Sequence, residues 1–174
     1  KLKPNDFFSV TAHRSENVDN PRRLEIIFSS LEKIHKKFKK RIIYPMHPRT
    51  SSKLKNQVIP KGIEIIKPLG FFDFTKLEKN AMCLITDSGT VPEETLYFKK
   101  PCVTIRDTTE RPETIEAGSN ILAGLDVENI FNSVKQMTSI KPQWDWNSSL
   151  GDGKTALRVV NILRSKLERR KFDL

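Results

Sequence analysis

Short apolar runs alternate along this chain with longer segments whose apolar residues return every three or four positions. Phe7 to Ala12, Arg41 to Tyr44, Ile63 to Ile66, Ala81 to Thr86, Pro101 to Ile105 and Ser119 to Leu122 are too short for helices. Rich in β-branched and aromatic residues, they predict six strands. Between them, Leu24, Ile27, Phe28, Leu31, Ile34 and Phe38 trace one face of a helix that Pro21 opens and Asp19 or Asn20 can cap. Shorter helices are predicted over Thr50 to Gln57, around Phe74 to Lys79 and over Pro92 to Lys99. Ile130, Phe131 and Val134 mark another over Val127 to Met137. The last helix, Lys154 to about Lys171, carries Ala156, Val159, Val160, Leu163 and Leu167, and the stretch Lys141 to Ser149 reads as irregular.

Strands alternating with helices predict an α/β fold, a parallel sheet with helices on both faces. Ligands of such sheets bind outside the carboxyl ends of the strands. The polar clusters of this chain follow strands in that way: His13 to Asn17, His47 to Thr50, Asp87 to Glu94 and Arg106 to Glu113. Their convergence on one edge, more than any single motif, predicts a site.

Composition narrows the class. With 174 residues, 37% hydrophobic and 30% charged, the chain can bury the core of one ordinary domain. No apolar run is long enough to span a bilayer, and no signal peptide opens the sequence. The start at Lys1 rather than Met points to a piece of a longer chain. Cys83 and Cys102 both fall in apolar strands and read as core residues rather than a disulfide or metal pair, which fits a cytoplasmic setting. The net charge of +10 collects in Lys33 to Arg41 and Arg158 to Lys171. Both are helical patterns expected to turn apolar faces inward and lysines to water. Phe38, among the first of these lysines, belongs to the apolar face of its helix, so a stacking surface for single-stranded nucleic acid is not indicated.

The clusters carry distinct chemistry. Thr11-Ala12-His13-Arg14-Ser15-Glu16-Asn17 puts an imidazole, a guanidinium and a carboxylate directly after a strand. His13 can move a proton near neutral pH, or merely cap a turn. His47-Pro48 repeats the pattern at a helix start, where His47 is either a cap or a ligand group; His35, among helical lysines, reads as a surface residue. In Asp87-Ser88-Gly89-Thr90-Val91-Pro92-Glu93-Glu94, a strand runs through a Ser-Gly turn into a helix, an arrangement that cradles phosphate. Glu94 could accept bonds from a sugar diol, although acids in a first helical turn also simply favour the helix. Arg111, before Pro112, could neutralise a diphosphate or close a surface salt bridge.

Taken together, the ordered T-x-H-R-x-E-N, H-P, D-S-G-x-x-x-E-E and T-E-R-P-E segments resemble the C-terminal half of the non-hydrolysing UDP-N-acetylglucosamine 2-epimerases. Gly151-Asp152-Gly153-Lys154 resembles that family's entry to its last helix. The resemblance implies a Rossmann-like domain, the second of a GT-B-like two-domain enzyme. Residues 1–150 would form the UDP-binding domain, and 151–174 a terminal helix crossing back to a first domain. It implies C2 epimerisation of a UDP-linked N-acetylhexosamine through UDP elimination and re-addition, without nicotinamide or metal. It further implies a homodimeric, cytoplasmic enzyme of polysaccharide or capsule synthesis, whose partners are the UDP-sugar and the missing N-terminal domain, with no nucleic acid and no membrane span.

Carried onto this sequence, the resemblance makes His13, Arg14 and Glu16 the catalytic group, His13 assisting departure and return of the diphosphate. Phe74 would pack on uracil, Ser88 and Gly89 bind the diphosphate, Glu94 the ribose hydroxyls and Arg111 the phosphate region, with His47 and Thr90 completing the UDP site. Thr90 stands where the family commonly has a second Gly, and Pro92 where it has Gln. These departures suggest a branch acting on a modified sugar, such as the 6-deoxy sugars of capsule synthesis. Two other classes stay open on the residues alone: the donor domain of a GT-B glycosyltransferase, and a basic, non-enzymatic binding module.

Overall fold

The computed structural model describes residues 1–54, 59–145 and 150–170, with side chains described up to residue 166. Six strands, β1 (Phe7–Thr11), β2 (Arg41–Pro45), β3 (Ile63–Ile66), β4 (Cys83–Thr86), β5 (Cys102–Thr104) and β6 (Asn120–Leu122), form one sheet in the order β3-β2-β1-β4-β5-β6. Every pairing is parallel, with Phe8 opposite both Ile42 and Cys83. The two halves of the chain thus wind outward from β1 and β4, which lie side by side at the centre.

Strand alternation supplies a core on each face. Phe8, Val10, Ile42, Ile85 and Val103 point to one side, where α2 (Pro21–Phe38) and α7 (Val127–Ser139) cover them. Phe7, Ile43, Leu84 and Cys102 point to the other, against Leu77 of α4 (Phe71–Asn80) and Val91 of α5 (Val91–Tyr97). The long helices start where side chains satisfy free backbone donors. Asn20 accepts from the Arg22 and Arg23 N–H groups, and Asp126 from those of Glu128 and Asn129. Lys39 ends α2 in the left-handed conformation, at φ 55°.

Several expectations need correction. Two short helices, α1 (Ser15–Val18) and α6 (Pro112–Glu116), occupy segments read as loops. The helix α3 is Pro48–Lys53, starting before Thr50 because His47 caps it; its predicted end at Gln57 lies outside the described residues. The α4 helix begins at Phe71, whose ring and that of Phe72 stand in solvent and break the apolar periodicity. His35 is not a surface residue. Its half-buried ring bonds the Lys40 carbonyl through Nδ1 at 2.8 Å and lies against Gly62. The last helix, α8 (Thr155–Arg170), does not turn its apolar face inward: Leu157, Val159, Val160, Ile162 and Leu163 are exposed. The helices named above already cover both faces of the sheet. Residues 146–149 of the irregular stretch, and Lys171 at the end of the predicted helix, lie outside the described residues. Cys83 and Cys102 are buried and free, and burial pushes the Cys102 thiol up to about 12.

Candidate functional site

The strand order reverses direction between β1 and β4, which opens a crevice at their carboxyl ends. Thr11 and Thr86 clasp the two strands through their hydroxyls at 2.7 Å. One residue further on, Asp87 is fully buried and holds the loop after β1. Its Oδ2 accepts from the His13 N–H at 3.0 Å, the Arg14 N–H at 2.9 Å and Asn17 Nδ2 at 3.2 Å. The His13 ring turns Nδ1 toward Asp87 Oδ1 at 3.5 Å, with 44% of the side chain exposed. A buried carboxylate therefore fixes the backbone of the first polar cluster and stands beside its imidazole.

His13 forms one wall of a cleft of about 260 Å³. His47 stands beside it with ring centroids 6.1 Å apart, kept in place as the α3 cap by accepting the Arg49 N–H at 3.2 Å. Phe74 of α4 and Leu69 supply an apolar wall, and Ser88, Thr90 and Glu94 the polar one. Ser88 is held by its own turn. Its N–H donates to Thr86 Oγ1 at 2.9 Å, and its hydroxyl accepts the Thr90 N–H at 3.3 Å and lies 3.2 Å from the Thr90 hydroxyl. A hydroxyl-rich turn, two imidazoles, an aromatic wall and a carboxylate suit a ligand that is part anionic, part planar and part polyol.

Six of the ten residues singled out from sequence thus meet in one cleft: His13, His47, Phe74, Ser88, Thr90 and Glu94. Gly89 adjoins them, and a Cβ there would lie 3.4 Å from Glu110 Oε2 and 3.5 Å from Arg14 Nη2, so both side chains overhang its backbone. The remaining two are held in ion pairs beside the cleft. Glu16 accepts from Arg106 Nε at 3.2 Å, and Arg111 pairs with Glu93 while donating from Nη1 to the Glu110 carbonyl at 2.8 Å.

Sequence reasoning assigned no role to Asp87, Arg106 or Glu78. Asp87 was the detectable one, since a carboxylate at a strand end before Ser-Gly stands where loops meet. Arg106 is nearly buried between Glu16 and Glu110, and it holds the Glu110 carboxyl down to about 2. Glu78 lies on α4 within reach of Glu94, and burial followed by the Glu94 charge pushes it up to about 9. Among the described residues, no three His, Cys, Asp or Glu side chains converge as metal ligands. No described helix is long and apolar enough to cross a membrane.

Comparison with known proteins bears on this geometry. Residues 1–164 match the UDP-N-acetylglucosamine 2-epimerase family. The chain is 45% identical over 170 residues to the UDP-N-acetylglucosamine 2-epimerase of Methanococcus maripaludis, covering 94% of this chain and 46% of that protein. It is 34% identical over 158 residues to the UDP-2,3-diacetamido-2,3-dideoxy-D-glucuronate 2-epimerase of Pseudomonas aeruginosa, covering 90% and 44%. The crystal structure of the Methanocaldococcus jannaschii UDP-GlcNAc 2-epimerase, in complex with UDP-GlcNAc and UDP, superposes with a TM-score of 0.83 at 42% identity. The match covers 93% of this chain and 46% of that one. The chain therefore spans about half the length of the relatives it matches.

Proposed function

This chain belongs to the UDP-N-acetylglucosamine 2-epimerase family, and we propose that it is the UDP-binding second domain of an enzyme that inverts C2 of a UDP-linked N-acetylhexosamine. The observation that carries the proposal is the convergence of His13, Ser88, Glu94 and Phe74 on one cleft at the β1–β4 switch point. In this reading uracil lies against Phe74, the ribose diol meets Glu94, and the diphosphate rests on the Ser88 hydroxyl and the Gly89 backbone. Arg111 reaches the phosphates by exchanging its Glu93 partner for the ligand.

The reaction is redox-neutral. The C2 proton is removed as the bond from C1 to the diphosphate oxygen breaks, which leaves a 2-acetamidoglycal and UDP. Return of a proton to the other face of C2 and re-addition of UDP at C1 complete the inversion. This chain supplies the leaving-group half. Negative charge grows on the departing diphosphate, and donors fixed before the reaction stabilise it without reorganising. His13 is such a donor as the imidazolium: with Nδ1 turned to Asp87, the Nε2–H is left for the diphosphate, and Arg14 adds positive charge beside Gly89. The carboxylates that move the C2 proton belong to the first domain, in a cytoplasmic homodimer needing neither nicotinamide nor metal. The segment from Gly151 through α8 crosses back to that domain, which accounts for the exposed apolar side chains of α8. Thr90, on the cleft wall, is the residue we assign to sugar preference, in the direction of a 6-deoxy substrate of capsule synthesis.

The test is incubation of the full-length enzyme with UDP-N-acetylglucosamine in deuterated water, with no acceptor, followed by proton NMR. Appearance of the C2 epimer with deuterium at C2 is expected. An unchanged sugar sinks the epimerase, and release of free N-acetylmannosamine with UDP identifies a hydrolysing enzyme instead.

A further inference from the structure

Behind the polyol side of the cleft lies a carboxyl group that the proposed reaction does not use. Glu78, next to Leu77 on α4, is fully shielded from solvent, and neither of its oxygens meets a hydrogen-bond donor among the described residues. The titratable groups that face it are Glu94 from α5 and the Cys102 thiol from β5. A buried carboxylate with neither donor nor cation is among the costliest arrangements in a fold. Two ionised carboxylates side by side offer acceptors only, whereas a single proton between them makes a charge-assisted O–H···O⁻ bond. The proton belongs on the member further from water. That member is Glu78, while half-buried Glu94 keeps its charge at the cleft wall.

We propose that Glu78 is a positioning residue for Glu94: as a neutral acid it donates its carboxyl O–H to the Glu94 carboxylate and fixes how that carboxylate faces the cleft. This rests on the reading of the cleft as a UDP site with Glu94 at the ribose. Burial and the neighbouring charge both push Glu78 upward, in agreement with the geometry. The arrangement also leaves one negative charge, rather than two, near a diphosphate ligand.

The experiment is calorimetric titration of the full-length enzyme with UDP and with 2′-deoxy-UDP, for wild type, Glu78→Gln, Glu78→Leu and Glu94→Gln. The glutamine amide still donates to Glu94, so Glu78→Gln keeps UDP affinity within about 2-fold. Glu78→Leu loses about 5- to 10-fold, the equivalent of one modest hydrogen bond. Its preference for UDP over the 2′-deoxy analogue shrinks with it. Above pH 8 wild type loses affinity faster than Glu78→Gln as the second carboxylate ionises; ionisation of uracil itself is common to both. A folded Glu78→Leu with unchanged affinity and unchanged 2′-hydroxyl preference overturns the proposal, as do identical pH profiles for wild type and Glu78→Gln. Should Glu78→Leu fail to fold, the pH comparison decides. Loss of the 2′-hydroxyl preference in Glu94→Gln upholds the reading of the cleft whatever Glu78 does. A wild type that binds no UDP overturns that reading and the proposal with it.

Discussion

Replacing Asp87 by Asn removes one charge and almost no volume, and its cost can be worked out from three bonds. Asp87 Oδ2 accepts from two backbone N–H groups and from Asn17 Nδ2, all between 2.9 and 3.2 Å. An asparagine oxygen placed there keeps the three donors, but each bond changes from charge-assisted to neutral. That difference is about 1 kcal/mol per bond, so the loss is about 3 kcal/mol. The new amide NH₂ replaces Oδ1, which also accepts the His13 N–H at 3.1 Å, so that backbone N–H and the ring Nδ1 now meet a donor instead of an anion. For a chain of this size, 3 kcal/mol lowers the melting midpoint by about 6–12 °C. Thermal melts of the 174-residue chain followed by circular dichroism measure the shift, and urea titration gives the free energy. UDP affinity falls in parallel because the loop carrying His13 and Arg14 loosens. Asp87→Ala strands all three donors at about 1–3 kcal/mol each, which approaches the whole stability of an ordinary domain, and that variant is expected not to fold. A midpoint within about 2 °C of wild type for Asp87→Asn, with unaltered UDP affinity, would refute the claim that the carboxylate organises the loop.

Other outcomes follow from single positions. Gly62→Ala places a Cβ 2.3 Å from the His35 ring at a φ of +93°, so backbone strain and overlap together cost about 2–5 kcal/mol in urea unfolding. Gly89→Ala meets only ordinary contacts, leaves stability within about 1 kcal/mol and weakens UDP binding by intruding on the surface the diphosphate needs. Glu78 gives a pH signature of definite sign. Below its usual value of 4.5 it is protonated in both states; between there and about 9 only the folded chain keeps the proton. Stability therefore falls as pH rises through that window. Urea unfolding of wild type at pH 6 and pH 8 shows a larger loss of stability than Glu78→Gln does; equal losses contradict the buried acid.

The six strands and the edge of the sheet that carries the cleft were legible because they rest on features a sequence displays directly, whereas the order of the strands came only with the structure. Six apolar runs alternate with helical segments, and polar clusters stand at strand ends. The segments that escaped are those without a period. Four residues of α1 and five of α6 make barely one turn each, too short for an apolar stripe to repeat. Glu78 escaped for the opposite reason. A glutamate between Leu77 and Lys79 reads as solvent-facing, and only the packing of α4 against α5 puts it indoors. Arg106 and Arg111 show that a charged residue's partner is set by tertiary placement: Glu16 is 90 positions from Arg106, and Glu93 lies on a different helix from the loop that carries Arg111.

Refolding should feel the distance across the central clasp. Thr11 and Thr86 are 75 positions apart, and His13 and Asp87 are 74 apart. The β1–β4 pairing must therefore close a loop that contains β2, β3 and α4, an entropic toll levied before any contact rewards it. A nascent chain that ends before Asp87 holds four of the six strands but lacks the carboxylate that anchors the His13 loop. Capture of a nucleotide can then only follow docking of the two halves, so a fluorescent UDP analogue added during refolding would light up with the last cooperative phase and not with early helix formation.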